Sequence, residues 1–155
     1  MNRYCIDTSA LMDARIRHYP PDVFPSFWRG IDELLAEDRL KAPVLLLDET
    51  VPKDDELSGW VKRNEDALIM PMDEAQQNAV AAILGTFPNL INPNKSRSMG
   101  DPFFIALAQV NGLILVTGEK NRGNPNKPKI PDVCDALSIP CLNILELIRR
   151  EGWRF

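Results

Sequence analysis

Four acidic residues stand at the ends of apolar runs: Asp7, Glu49, Asp101 and Glu119. Asp7 closes Tyr4-Cys5-Ile6 and opens Asp7-Thr8-Ser9-Ala10-Leu11. Glu49 lies in Pro43-Val44-Leu45-Leu46-Leu47-Asp48-Glu49-Thr50-Val51. Asp101 opens Asp101-Pro102-Phe103-Phe104-Ile105-Ala106-Leu107-Ala108, and Glu119 follows Leu113-Ile114-Leu115-Val116-Thr117-Gly118. A carboxylate avoids burial unless something pairs with it, so several arriving where buried segments end point to a shared cation. Mg2+ or Mn2+ suits such a donor set, because both prefer hard oxygen ligands with several waters. A cation held there lowers the pKa of a water and neutralises charge growing on a phosphate. The implied chemistry is hydrolysis of phosphodiesters, with RNA the favoured substrate. Thr8, Ser9 and Thr117 are placed to hydrogen-bond the carboxylates or a bound water; helix capping and strand-end satisfaction are the ordinary alternatives.

Taken singly, none of the four acids is specific. Asp7 with Thr8 and Ser9 reads equally as a helix-capping turn, and Asp101-Pro102 as an N-cap with proline at N1. Glu119 alone is a loop residue, and Glu49 alone is one polar position of a helix. The single histidine, His18, lies in the surface-like stretch Arg17-His18-Tyr19-Pro20-Pro21, which leaves histidine-based nucleophilic catalysis little to work with. The three cysteines at 5, 134 and 141 form no Cys-x-x-Cys pair and read as reduced thiols. A dehalogenase-like phosphatase would want an acid two residues after Asp7, where Ser9 stands.

These acids must be positioned by alternating strands and helices. Residues 3–7 predict a short buried strand, with Thr8 and Ser9 capping a helix from about Ala10. Phe24, Phe27, Trp28, Ile31, Leu34 and Leu35 recur at helical spacing over about 22–37; the aromatic residues Phe27, Trp28 and Trp60 read as core. Residues 43–51 fit either a buried strand or a short helix. Asp54-Asp55-Glu56 opens a helix using Leu57, Trp60 and Val61, residues 67–70 form a strand or an extended segment, and Asp73 and Glu74 start a helix to about Leu84. Residues 87–100 read as an exposed loop. A helix over about 102–110, with Asp101 at its N-cap, leads to the best strand, 113–117. A loop over 118–131, a short helix, a small strand at 140–142 and a last helix capped by Asn143 complete the order. The alternation predicts an α/β domain over residues 1–155 with a largely parallel sheet of four to five short strands flanked by helices. Functional groups in such sheets gather outside the carboxyl ends of the strands.

Composition is ordinary for a globular chain, with 45% hydrophobic and 26% charged residues. No apolar run approaches a membrane span and the N-terminus lacks a signal-peptide pattern, so a cytoplasmic location is expected. The net charge of −4 argues against a polyanionic partner, but it is uneven. Residues 95–155 carry nine Lys/Arg against six Asp/Glu, whereas residues 1–94 carry nine against sixteen. Lys95, Arg97, Lys120, Arg122, Lys127 and Lys129 flank Asp101 and Glu119 and are the candidate contacts to an RNA backbone.

In order and context the motifs resemble the PIN-domain family, in particular its VapC-like ribonuclease toxins. Ile6-Asp7-Thr8-Ser9-Ala10-Leu11 resembles the family's opening strand with its first acid. Gly100-Asp101-Pro102-Phe103-Phe104-Ile105-Ala106-Leu107-Ala108 resembles its third-acid helix, and Val116-Thr117-Gly118-Glu119 its strand ending in Thr-x-acid. Ile130-Pro131-Asp132-Val133-Cys134 and the terminal stretch 147–155 are similar to one PIN branch. The resemblance implies a three-layer α/β fold and a metal-dependent endoribonuclease acting through Asp7, Glu49, Asp101 and Glu119. It also implies a homodimer, an inhibitory antitoxin, and a helix over 43–51. The second acid departs from the pattern: the family places Glu before Leu, whereas Glu49 precedes Thr50 and has Asp48 beside it, so Asp48 is its rival. The fourth acid is Glu rather than the commoner Asp, and Asp132 is an alternative there. A PIN-like RNA- or protein-binding module with impaired catalysis is the competing expectation.

Overall fold

The computed structural model describes residues 1–91, 99–120 and 126–155. Five parallel strands form one sheet in the order β3-β2-β1-β4-β5. They are β1 (Tyr4–Ile6), β2 (Leu40–Pro43), β3 (Ile69–Met70), β4 (Ile114–Val116) and β5 (Cys141–Leu142). The central strands are buried along their whole length, as expected where helices cover a parallel sheet. Among the described residues nine α-helices surround them: α1 (Thr8–Met12), α2 (Pro25–Ala36), α3 (Leu45–Thr50), α4 (Glu56–Arg63), α5 (Glu65–Leu68), α6 (Glu74–Thr86), α7 (Asp101–Asn111), α8 (Ile130–Leu137) and α9 (Ile144–Glu151). A π-helical segment, Asp13–His18, continues α1. No helix among the described residues is long and apolar enough to cross a membrane.

The expected alternation of strands and helices is present, and the parallel sheet has five strands. Several boundaries differ for identifiable reasons. Residues 43–51 are neither one strand nor a helix throughout: β2 ends at Pro43 and α3 follows from Leu45. The strand Leu40-Lys41-Ala42-Pro43 had no apolar signature because of Lys41. Its ammonium donates to Ala67 O at 2.9 Å and pairs with Asp38, which allows a lysine inside a sheet. Residues 67–70 divide between the end of α5 and β3. The stretch expected as an exposed loop after 87 opens with a short 3-10 turn, Pro88–Leu90, whose Leu90 is buried in the core.

Helix ends follow their caps. Asp55, Asp73 and Asn143 accept from Ser58 N, Gln76 N and Glu146 N at 2.8–2.9 Å. Phe27, Trp28, Ile31, Leu34 and Leu35 of α2, together with Trp60 of α4, are buried as expected. α7 packs on β1, β2 and β4 and against α6. Its Ile105-Ala106-Leu107-Ala108 stretch is buried and small enough to bring the helix close to the sheet. Cys5 and Cys134 are buried, Cys141 is half-buried, and all three are free thiols.

The amino end of the sheet is held by charge. Arg39, just before β2, donates to both carboxylate oxygens of Glu151 at 2.7 and 2.8 Å, and the Tyr4 hydroxyl donates to the same carboxylate. Both charged side chains are about nine-tenths buried. Glu151→Ala would leave Arg39 desolvated without its partner and is expected to lower the unfolding free energy by about 3 kcal/mol. Urea titration checks this, and a loss below about 1 kcal/mol would class the pair with surface ion pairs.

Candidate functional site

The chain runs outward from β1 to β2 to β3, then returns to place β4 on the other side of β1. This reversal opens a crevice at the carboxyl ends of β1 and β4, the usual place for function in such sheets. Ile6 pairs with Val116, so the next residues, Asp7 and Thr117, are neighbours. Asp7 is 3% exposed. Its carboxylate accepts from Ala10 N at 2.8 Å, Ser9 Oγ at 2.9 Å and Thr117 Oγ1 at 2.5 Å. Burial pushes its pKa up to about 7; the three hydrogen bonds oppose the shift and the Glu119 charge adds to it. The expected caps, Thr8 and Ser9, do not cap the helix. Asp7 itself is the N-cap, and α1 therefore starts at Thr8 rather than Ala10. Ser9 instead joins the site, accepting Gly118 N at 3.0 Å. Thr8 is 9% exposed and its Oγ1 has no partner.

Asp101 differs from its expected role too. Gly100 is the N-cap of α7, and Asp101 is its first residue, 8% exposed, with Pro102 after it. Burial raises its pKa to about 9, with further contributions from Glu119, Asp7 and Glu49 and opposition from Lys129. Glu49, on α3, directs a buried and unpartnered Oε1 toward Gly100, where any Cβ would collide with it. Burial raises its pKa as well; Thr8, near but outside hydrogen-bonding geometry, and Lys53 oppose the shift. Its rival Asp48 is exposed and lines a separate groove with Leu47, Val51, Pro52, Lys62 and Glu65.

Glu119 leaves β4 through Thr117 and Gly118. Its N–H donates to Thr117 Oγ1 at 3.1 Å, and its Oε2 accepts from Ile130 N at 2.9 Å, tying the crevice to the start of α8. Asp132 is occupied one residue away, accepting Lys129 N at 2.8 Å. Sequence reasoning missed Asp13: its Oδ2 reaches the Cα of Gly118 closely enough to exclude a side chain there. It arrives from the π-helical segment, which spacing at helical or strand period does not reveal, and it pairs with Arg17 at 2.5 Å. Lys120 and Lys127 are exposed and Lys129 is half-buried; Lys95, Arg97 and Arg122 lie outside the described residues.

The four acids thus share one electrostatic neighbourhood, but they do not form a chelate. Among the described residues no three His, Cys, Asp or Glu side chains are grouped so as to hold a metal ion. The donor chemistry nevertheless suits a hard cation. The donors are carboxylate and hydroxyl oxygens, and two of them, Glu49 Oε1 and Thr8 Oγ1, are buried without partners.

Against solved structures, the chain is similar to one from a DNA-bound VapBC of Salmonella typhimurium, with 16% identity, a TM-score of 0.56 and coverage of 92% of this chain and 98% of that one. It is also similar to one from VapBC2 of Rickettsia felis bound to a promoter DNA fragment, at 16% identity and a TM-score of 0.54, covering 90% and 97%. The fold is therefore a PIN-like α/β fold. No curated protein sequence matches the chain. The chain belongs to the DUF4411 family, a domain of unknown function whose model matches residues 4–155.

Two measurements probe this geometry. Asp7 and Asp101 titrate near 7 and 9 in the folded state against 3.8 ordinarily, so the fold holds their protons more tightly than the unfolded chain does. Their contribution to stability is full below about pH 4 and lost as pH rises through the raised folded-state values. Urea unfolding in EDTA is expected to show lower stability at pH 8 than at pH 5, a loss reduced by Mn2+ and by Asp101→Asn. A profile in EDTA that is flat over this range contradicts the repulsion. Gly100→Ala pushes the mobile end of Glu49 aside, and calorimetry is expected to find Mn2+ bound about 10-fold more weakly, with the fold intact by circular dichroism.

Proposed function

We propose that this protein is a metal-dependent endoribonuclease that hydrolyses RNA phosphodiesters and serves as the toxin of a toxin–antitoxin pair. The observation carrying the reading is that Asp7, Glu49 and Asp101 all have raised pKa values in one crevice at the sheet reversal, each raised in part by neighbouring carboxylates. A site so short of positive charge is one that a divalent cation would stabilise. Asp7, Glu49, Asp101 and Glu119 would hold Mg2+ or Mn2+, which when bound supplies an activated water and neutralises phosphate charge. Thr117 and Ser9 fix the Asp7 carboxylate, and the Ile130 amide orients Glu119. The toxin role and a homodimer follow from the resemblance of the motifs, and an antitoxin partner is supported by the likeness to chains of VapBC complexes.

One observation favours a second reading, a PIN-like binding module with impaired catalysis: the carboxylates do not stand as a chelate. Incubating the protein with single-stranded and structured RNA, in Mn2+ and in EDTA, separates the two. The nuclease reading expects cleavage only with metal, reduced about 100-fold or more by Asp7→Asn or Asp101→Asn. Cleavage that survives EDTA and both variants sinks the carboxylate mechanism. RNA binding without cleavage or metal uptake favours the module.

A further inference from the structure

The crevice has carboxylates enough, but a phosphodiester chain needs cations to hold it, and most of those described near the core are committed. Arg3, Arg15, Arg17, Arg39 and Lys41 all pair with carboxylates. Lys53 and Lys129 form no ion pair among the described residues. Lys53 ends the 3-10 turn Val51–Lys53 that directly follows α3, four residues along the chain from Glu49. Its side chain is exposed, and its charge acts on Glu49. Lys129 immediately precedes Ile130, whose amide is held by Glu119, so it starts from the other wall of the crevice, and its charge acts on Asp101. Near Glu49 lies Thr8, nine-tenths buried, whose Oγ1 has no hydrogen-bond partner, as is also true of Glu49 Oε1. The site therefore holds two unsatisfied polar atoms, and among the described residues Lys53 and Lys129 stand beside its acids without an ion-pair partner.

We propose that Lys53 and Lys129 are paired phosphate-positioning residues, gripping the backbone phosphates that flank the one presented to the carboxylates. The substrate strand then crosses the crevice from the end of α3 to the start of α8. This rests on the nuclease reading above and adds its substrate path; neither the order of motifs nor the charge of the C-terminal half pointed to Lys53. A point charge on a flexible stem suits phosphate contact without reading sequence.

The alternative role for Lys53 is electrostatic support of Glu49 alone, and the test separates them. Binding of a fluorescent single-stranded RNA is measured by anisotropy over a range of KCl in Mg2+, using the full chain with Asp101→Asn to prevent cleavage. Lys53→Ala and Lys129→Ala are each expected to lower the slope of log affinity against log salt by about 0.7, the value for one contact on a single strand. Lys53→Arg is expected to restore it, and Lys62→Ala, in the separate groove, to leave it unchanged. In the otherwise native chain the alanine variants raise KM with kcat little changed, while Mn2+ affinity holds or tightens because a repelling charge is gone. Unchanged salt slopes and KM with active enzyme overturn the substrate path and leave the nuclease reading standing. Weakened Mn2+ binding with an unchanged slope assigns Lys53 to Glu49 alone and also overturns it. If the native chain neither binds nor cleaves RNA, both readings fall together.

Discussion

The parallel register of β1 against β4 is the constraint on which the site depends. Pairing Ile6 with Val116 makes Asp7 and Thr117 adjacent at the sheet reversal, and the 2.5 Å hydrogen bond between them closes the junction. From that junction the other parts take their places. Asp7 starts α1, α1 delivers Ser9 to the Gly118 amide, and Thr117 receives the amide of Glu119. A slip of one residue would turn the whole set over, because alternate residues of a strand face opposite sides. The charges that hold the opposite end of the sheet, Arg39 and Glu151 with Tyr4, are fully paired. Stabilising charge and unsatisfied charge are thereby separated by the length of the strands.

At the carboxyl end desolvation outweighs hydrogen bonding. Asp7 has three donors and still titrates near 7, so the cost of burial exceeds what they return. Asp101 is in a harder position, with burial and three neighbouring acids acting in one direction and Lys129 against them. Such an arrangement lowers the stability of the empty fold, as functional sites commonly do. The two acids also differ in their surroundings: Asp7 is anchored by three hydrogen bonds, whereas neighbouring carboxylates add to the burial of Asp101.

Much of this was legible in the chain. The buried runs ending at Asp7 and before Thr117, the helix after Asp101 and the alternation of elements all follow from apolar periodicity and caps. What escaped reading was set by partners distant in sequence. Lys41 reads as a strand breaker until Asp38 and the Ala67 carbonyl are seen to satisfy it. Asp101, expected at an N-cap, is instead the first residue of its helix, and of the capping candidates at α1 it is Asp7 rather than Thr8 or Ser9 that caps. Glu49 and Asp48 are indistinguishable by type. Only the fold separates them, burying Glu49 Oε1 against Gly100 and leaving Asp48 exposed. Asp13 depends on a π-helical segment, which no simple repeat announces.

The residues before Asp101 and Glu119 sharpen this point. Both are glycines, and the obvious reading is conformational freedom, since glycine alone enters left-handed backbone without strain. That reason fails here: Gly100 has φ of −82°, and Gly118 is not among the positive-φ glycines. The requirement is space. A Cβ at Gly100 would occupy the place of Glu49 Oε1, and one at Gly118 would meet Asp13 Oδ2 and crowd Ser9 O at 3.2 Å. Each glycine therefore admits an acid from another element to the backbone just ahead of a site acid. The Gly-Asp and Gly-Glu pairs mark where carboxylates from α3 and the π-helical segment must come close, which ties those elements to the crevice more directly than any periodicity in their own sequences.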